Sequence, residues 1–273
     1  MTLPSVLITG AGGLVGSYLT NNLPGYDVTA INHQDLDLLD REMVTAFLKK
    51  KNFHTIIHCA TYGRRAVRTP NPTIFQNNLF MFNNLASCKQ NYQQFINIAS
   101  GSEFNVDEIN DQTAEEELFQ RYPAQAYGAS KNIIARLVTQ LPNFYNLRMF
   151  GCFGQHDTTH IDPLQDVVKN IATNRRFRFE NDRFLDLFSL HDLAVVVDQT
   201  IQGNLKYNDV NLVYDQKHRL SDVLRIYYEQ RGVDPSLVKF LSTSDQCFTG
   251  NGARLASHNF DLWGLERSLK EYT

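Results

Sequence analysis

An apolar run, Val6-Leu7-Ile8-Thr9, breaks into Gly10-Ala11-Gly12-Gly13 and resumes as Leu14-Val15-Gly16. A strand that turns directly into a helix constrains the fold more than any other stretch of the chain. The glycines are spaced GxxGxxG. Gly10 permits the tight turn, Gly13 lets the backbone approach a pyrophosphate, and Gly16 lets the helix lie close to the strand. The N–H groups and dipole at the helix start then favour phosphate. A bare glycine pattern is weak; one that follows a strand and opens a helix points to a dinucleotide.

The rest of the first half repeats the alternation. Strands are expected at Val6–Thr9, Val28–Ile31, Thr55–Cys59, Phe95–Ala99 and Asn146–Phe150. Helices are expected at Leu14–Leu23, at Arg41–Lys51 with Asp40 as its cap, at Pro72–Gln90 and at Tyr127–Leu141. Alternating strands and helices make an α/β fold, a Rossmann-type doubly wound parallel sheet with helices on both faces. After Gly154 the rhythm changes: Pro163–Asn174, Leu190–Ile201 and Leu220–Gly232 read as helices, and Val210–Tyr214 as a strand. The expected division is a dinucleotide-binding domain over residues 1–155. A mixed α/β substrate-binding region over 156–273 forms a small C-terminal lobe, part of it returning to the sheet. The acidic, Gln-containing stretch Gly101–Gln125 is long for a loop, and such loops are often functional.

A net charge of -3 gives no reason to expect nucleic acid or an anionic membrane as partner. No apolar run is long enough to span a bilayer, and the N-terminus lacks a signal-peptide pattern. Cys59, Cys88, Cys152 and Cys247 are far apart, with no metal-ligand spacing. They read as reduced thiols, which makes a cytoplasmic location the expectation.

The residue after the second strand selects the nicotinamide cofactor, because a carboxylate there bonds a ribose 2′-OH and repels a 2′-phosphate. The chain has Asn32-His33-Gln34 and no acid before Asp35. NADP is therefore favoured, with NAD possible, and His33 is a candidate phosphate contact. Of the twelve tyrosines, only Tyr127 has a lysine, Lys131, four residues on. On a helix the two share a face, so the ammonium can favour the phenolate and fit the phenol for proton transfer. Ser100 ends the preceding strand, and a hydroxyl there faces the ligand crevice of an open parallel sheet.

A strand, a glycine turn, a Ser and Tyr-x-x-x-Lys are the parts shared by the short-chain dehydrogenase/reductase superfamily. The sequence resembles its extended branch, the NAD-dependent epimerase/dehydratase family of nucleotide-sugar enzymes, over nearly the whole chain. Thr9–Gly16 resembles the glycine fingerprint of that branch. Asp37-Leu38-Leu39-Asp40 is similar to the adenine-contacting segment, with Asp37 at the contact position. Ile56-Ile57-His58-Cys59-Ala60-Thr61 resembles the strand lining the cofactor cleft, and Asn77-Asn78-Leu79 with Asn83-Asn84-Leu85 the Asn-bearing helix. Asn146–Gly154 resembles the strand and turn that reach the substrate. Phe248–Leu255 and Trp263–Glu266 resemble the C-terminal segment of reductases closest to GDP-fucose synthase.

The resemblance implies that Tyr127 is the acid/base, that Lys131 tunes it and binds the nicotinamide ribose, and that Ser100 bonds the reacting oxygen, with Ser102 the alternative. It places Gly10, Gly13, Leu14, Val15, Gly16, Asn32, His33, Asp37, Leu38, Cys59, Ala60, Thr61 and Asn78 at the cofactor. It implies a nucleotide-sugar substrate and a homodimer formed through the helices near Asn83 and Ile134. GDP-fucose synthases epimerise with a cysteine where this chain has Ser102; His160 follows the strand-five turn as the family's His does. Glu103 fits the slot of the dehydratases' base, with Gly101 in place of their hydroxyl residue. Leu185 stands where the family's diphosphate-binding Arg is expected, leaving Arg183, Arg178, Arg176 and Arg254 as candidates. The leading expectation is reduction of a 4-keto group on a nucleotide-linked deoxy sugar. A 4-epimerase or 4,6-dehydratase of the same family and a non-catalytic NADP-binding sensor are the rivals.

Overall fold

The computed structural model describes residues 2–63, 72–106, 108, 110–154, 177–232 and 234–272. Six strands form one wholly parallel sheet: β1 (Ser5–Thr9), β2 (Asp27–Ile31), β3 (Phe53–His58), β4 (Tyr92–Ser100), β6 (Phe144–Met149) and β10 (Asp209–Leu212). Their spatial order is β10-β6-β4-β3-β1-β2. The chain leaves β1 for β2 on one side, then returns to place β3 on the other. Strand order reverses there, and in such sheets ligands bind in the crevice outside the carboxyl ends at the reversal.

The strands are apolar along their whole length because both faces are covered. Val6 and Ile8 point to one side, into a core with Leu19 of α1 (Leu14–Asn21) and Leu193 and Val197 of the Leu190–Ile201 helix. Leu7 points to the other, into a core with Val44 of α2 (Arg41–Lys50), Phe82 of α3 (Pro72–Ala86) and Ile134 of α4 (Ala126–Val138). Asp40 caps α2 as expected, its carboxylate accepting from the N–H groups of Glu42 and Met43 at 2.9 Å.

Several boundaries move inward. The helix expected to reach Gln90 stops at Ala86, and a 3₁₀ turn at Lys89–Asn91 follows. The Leu220 helix ends at Glu229 rather than Gly232. The stretch expected to be one loop between Gly101 and Gln125 holds 3₁₀ turns at Gly101–Phe104 and Glu115–Phe119 and a strand, β5 (Asn110–Thr113). A short parallel pair, β7 (Cys152–Phe153) and β9 (Phe188–Ser189), leads into the Leu190 helix.

A second sheet has the order β5-β11-β8, with β8 at Phe177–Leu185 and β11 at Val238–Gly250. Sequence patterning misses β8 and β11 for a physical reason. Much of β11 is exposed, so Lys239, Ser242, Ser244 and Asp245 interrupt any apolar alternation. The helix expected at Pro163–Asn174 lies outside the described residues.

Candidate active site

The glycine turn is shaped by close backbone approach. Gly10 has φ +68, and a Cβ on it would lie 2.6 Å from the Ala60 nitrogen. A Cβ on Gly16 would collide with the Gly10 carbonyl oxygen and come within 2.9 Å of the Ala11 Cα. Gly13, at the cap of α1, brings no side-chain hydrogen bond to the helix start. The first N–H groups of the helix thus have no intrahelical partner and no side-chain substitute, as an anion site needs. The side chains of Leu14 and Val15 pack against the core, so only their backbone can serve a ligand.

A cleft of about 770 Å³ opens above this turn. It brings together Gly10 and Gly13 after β1, Asn32 and His33 after β2, Asp37 and Leu38 beyond them, and Cys59, Ala60 and Thr61 after β3. Gln34, Tyr62 and Met81 also line it, and sequence reasoning did not single them out. Met81 arrives from α3 through tertiary packing and carries no local signal. The Asn32 carboxamide oxygen accepts from the Gln34 N–H at 2.8 Å, and the Asp35 carboxylate holds the Asn32 N–H at 2.9 Å. Asp35 is therefore spent on the turn and does not line the cleft. A glycine cradle, an open helix start and a large cleft at the switch point fit a dinucleotide.

The candidate proton-transfer residues lie at the next strand along. Ser100 ends β4 half-buried, and its hydroxyl oxygen accepts from the Ser102 N–H at 3.2 Å, leaving its proton free to donate. Ser102 is buried and its hydroxyl has no partner among the described residues. Helix α4 packs on this turn: a Cβ on Gly128 would lie 2.6 Å from the Ser102 carbonyl oxygen. Tyr127 on that helix is half-buried. Lys131 is buried and donates to the Ile98 carbonyl oxygen at 3.1 Å, which fixes its ammonium beneath the end of β4.

The charge of Lys131 reaches the cofactor cleft. Burial pushes the Cys59 thiol up to about 12, with Lys131 acting the other way. Burial pushes the neighbouring His58 imidazole down to about 3, and Lys131 adds to it. His58 is therefore neutral, its Nδ1 bonded to the Thr9 hydroxyl at 2.9 Å. Its folded value lies below the ordinary 6.5, so its contribution to stability is complete above pH 6.5 and is lost as pH falls from 6.5 toward 3. The urea midpoint is expected to drop between about pH 7 and about pH 5, and less in His58→Gln than in wild type. Equal drops in the two proteins would mean that His58 titrates normally.

Four of the candidates named from the sequence have polar groups engaged or buried within the protein itself. Asn78, expected at the cofactor, is buried. Its oxygen accepts from the Tyr62 N–H at 2.7 Å, and its amide donates to the Tyr62 carbonyl at 3.1 Å and the Ser130 hydroxyl at 3.2 Å. Ser130 in turn donates to the Tyr127 carbonyl at 2.7 Å, so Asn78 braces the loop after β3 to the Tyr127 helix. Glu103, expected near substrate, has no exposed surface and is ion-paired to Arg148 at 2.6 Å. Arg254, a diphosphate candidate, donates to the Asp209 carbonyl at 2.8 Å and pairs with Glu116, so its guanidinium is already occupied. Ser102 is buried, at the edge of a small cavity it shares with Tyr127, whereas Ser100 is half-buried.

Arg178 is exposed and Arg183 half-buried on β8, and neither has a partner among the described residues. His160 and Arg176 lie outside the described residues. Asp192 proves to be a hub: its carboxylate accepts from the N–H groups of Trp263 and Gly264 at 2.8 and 3.0 Å and from the Tyr214 hydroxyl at 2.6 Å. It thereby ties the C-terminal segment to the helix that follows β9.

A dinucleotide cleft at the switch point, with a serine, a tyrosine and a buried lysine at the adjacent strand end, defines a short-chain dehydrogenase/reductase. The sequence model of the NAD dependent epimerase/dehydratase family matches residues 6–200, and the chain belongs to that family of nicotinamide-dependent enzymes. No curated protein sequence matches the chain. Among solved structures, the chain is similar to a GDP-mannoheptose C4 reductase from Campylobacter jejuni with NADP bound. Identity is 19%, coverage 99% of this chain and 97% of that one, and the TM-score 0.81. A dTDP-4-dehydrorhamnose reductase from Clostridium acetobutylicum is 22% identical, over 98% of each chain, with a TM-score of 0.81. A GDP-L-fucose synthetase from Naegleria fowleri bound to NADP is 18% identical, over 100% of this chain and 93% of that one, with a TM-score of 0.81. At these identities the likeness establishes the shared fold.

Proposed function

We propose that this protein is an NADP-dependent oxidoreductase that reduces the 4-keto group of a nucleotide-linked deoxy sugar. The observation that carries the reading is Lys131. It is buried beneath the end of β4, one helical turn from Tyr127, and its charge acts on Cys59 in the wall of the cofactor cleft. That supports a reading in which α4 carries the acid/base pair beside the cleft.

Gly10, Gly13 and the open N–H groups of α1 would hold the pyrophosphate, Asp37 and Leu38 the adenine, and Asn32 and His33 the 2′-phosphate. When bound, the dinucleotide supplies the hydride. Ser100 donates a hydrogen bond to the substrate carbonyl oxygen and orients it, keeping its own proton. Tyr127 transfers its phenolic proton to that oxygen as negative charge develops there. Lys131, one helical turn from the phenol and anchored on Ile98, would hold the ribose hydroxyls of the dinucleotide. Arg183, half-buried, and Arg178, exposed, have no partner among the described residues and are the candidates for the substrate diphosphate.

Reduction is favoured over the family's other reactions by what the neighbouring residues are doing. The carboxylate in the dehydratase slot, Glu103, is buried against Arg148 and has no route to a sugar proton. Ser102 stands where an epimerising enzyme has a thiol, and a hydroxyl is a far poorer acid/base. A binding protein without turnover would have no use for the Tyr127–Lys131 pair. A homodimer is supported by α3 and α4, where Phe80, Ile133 and Leu137 are exposed. No helix among the described residues is long and apolar enough to cross a membrane.

Incubation with NADPH and a panel of dTDP- and GDP-linked 4-keto-6-deoxy sugars tests the reading by absorbance loss. Stoichiometric NADPH consumption with at least one sugar is the expected result. Interconversion of 4-hydroxy sugars without net consumption would identify a 4-epimerase instead. NADPH is expected to be preferred over NADH, and Asn32→Asp to shift the kcat/KM ratio about tenfold or more toward NADH. The substitution keeps the oxygen that accepts from Gln34 and replaces the amide nitrogen by a second, charged oxygen. An unchanged ratio would remove residue 32 from cofactor selection.

A further inference from the structure

A fully buried arginine on the strand next to the sheet edge has no part in the proposed reaction. Arg148, on β6, has no exposed surface. Its Nε donates to Glu103 at 2.6 Å, one Nη to Asp209 at 2.8 Å and the other to Asn211 at 2.9 Å. Its guanidinium lies 4.5 Å from the centre of the Phe104 ring. Asn146 sits between the two carboxylates and donates to Glu103 at 3.2 Å and Asp209 at 3.0 Å, which separates their charges.

The far end of this network is the Ser100 turn. The second Glu103 oxygen accepts from the Ser100 N–H at 3.2 Å and closes a capping box over Gly101–Phe104. The Glu103 carbonyl accepts from the Asn132 amide at 2.8 Å, so the residue after Lys131 is tied to the same turn. Ser100 and the Tyr127 helix therefore meet through Glu103, and Glu103 is held by Arg148.

Burying a guanidinium between carboxylates is costly, and apolar side chains of similar volume often give equal or better stability. What apolar side chains cannot supply is a fixed direction for the Glu103 carboxylate. We propose that Arg148 is a positioning residue for catalysis: it clamps Glu103 so that the capping box holds the Ser100 hydroxyl and the Tyr127 helix in one fixed relation. A lysine could not replace it, because a single ammonium does not present the planar fork that reaches Glu103, Asp209 and Asn211 together.

The proposal deepens the reductase reading and rests on it for its kinetic arm. Arg148→Met and Arg148→Lys are compared with wild type and with Gln94→Ala. Gln94 makes buried bonds to Thr55 and to the Thr200 carbonyl toward the opposite end of β4. Two quantities are measured: amide hydrogen exchange in peptides covering residues 100–105, and kcat and KM on whichever 4-keto sugar wild type reduces. Both Arg148 variants are expected to exchange at least about tenfold faster over that turn. They are also expected to lose about tenfold or more in kcat, with KM for sugar and NADPH within about threefold. Gln94→Ala is expected to lose stability without either effect. Should Arg148→Met not fold, Glu103→Gln, which keeps the shape and turns an amide toward the guanidinium, is expected to give the same pair of changes.

Unaltered exchange over 100–105 with kcat within about twofold of wild type in a folded Arg148 variant would overturn the proposal. So would equal effects in Gln94→Ala, because they would trace to general destabilisation. If wild type reduces no sugar, the reductase reading fails, and the exchange measurement decides the structural claim by itself.

Discussion

Replacing Tyr127 by Phe is expected to lower turnover by about 10²- to 10⁴-fold while leaving NADPH affinity within about twofold, the range that a positioned proton donor contributes. The substitution removes one oxygen and nothing else. The ring keeps its half-buried place, and the bond from the Ser130 hydroxyl to the residue 127 carbonyl is untouched. Lys131 keeps its anchor on Ile98, since that bond does not involve the phenol. The loss should therefore appear in kcat. Cofactor affinity is read from the quenching of protein fluorescence or the enhancement of NADPH emission, and turnover from absorbance. Rates like wild type in Tyr127→Phe would remove the phenol from the mechanism and with it the proposed reduction.

The second large effect is expected at Gly16. A valine there would drive its Cβ into the Gly10 carbonyl and against Ala11, and both obstacles are backbone. The turn must shift, and it is the turn that presents the open N–H groups of α1. Overpacking of this kind costs about 1–3 kcal/mol of stability. Displacement of the phosphate cradle should cost about 3 kcal/mol of binding, or roughly 100-fold in NADPH affinity. Gly25 is the comparison, because a Cβ there meets nothing within 4 Å. Gly25→Ala should bind NADPH as wild type does. If Gly16→Val also bound NADPH normally, the cleft above Gly10 and Gly13 would not be the dinucleotide site.

The first half of the fold was readable because its signals are local and redundant. Val6–Thr9 is apolar on both faces, Gly10 and Gly16 mark the turn, and Asp40 marks a helix start; each is a short-range preference that the tertiary structure has no reason to override. The same holds for the cleft wall, since residues at the carboxyl ends of parallel strands must face the crevice once strand order is known. Gly10, Asn32 and Cys59 come together for that reason.

Side-chain direction was not readable. Glu103 and Ser102 stand in the right turn, yet Glu103 points into the sheet toward Arg148, from a strand about 45 residues on, and Ser102 is buried where α4 packs on the turn. Asn78 and Arg254 were likewise placed by partners distant in sequence, Ser130 and Asp209. The strands β8 and β11 escaped notice because they pair with each other more than they bury, so no apolar period marks them.

A chain's periodicity and its turns settle which segments become strands and helices and which strand ends face a ligand, since those depend on neighbours a few residues away. Which polar groups remain free for chemistry depends on who occupies the hydrogen bonds of each. In this protein those occupants, Arg148 above all, come from elements that meet only when the sheet is assembled.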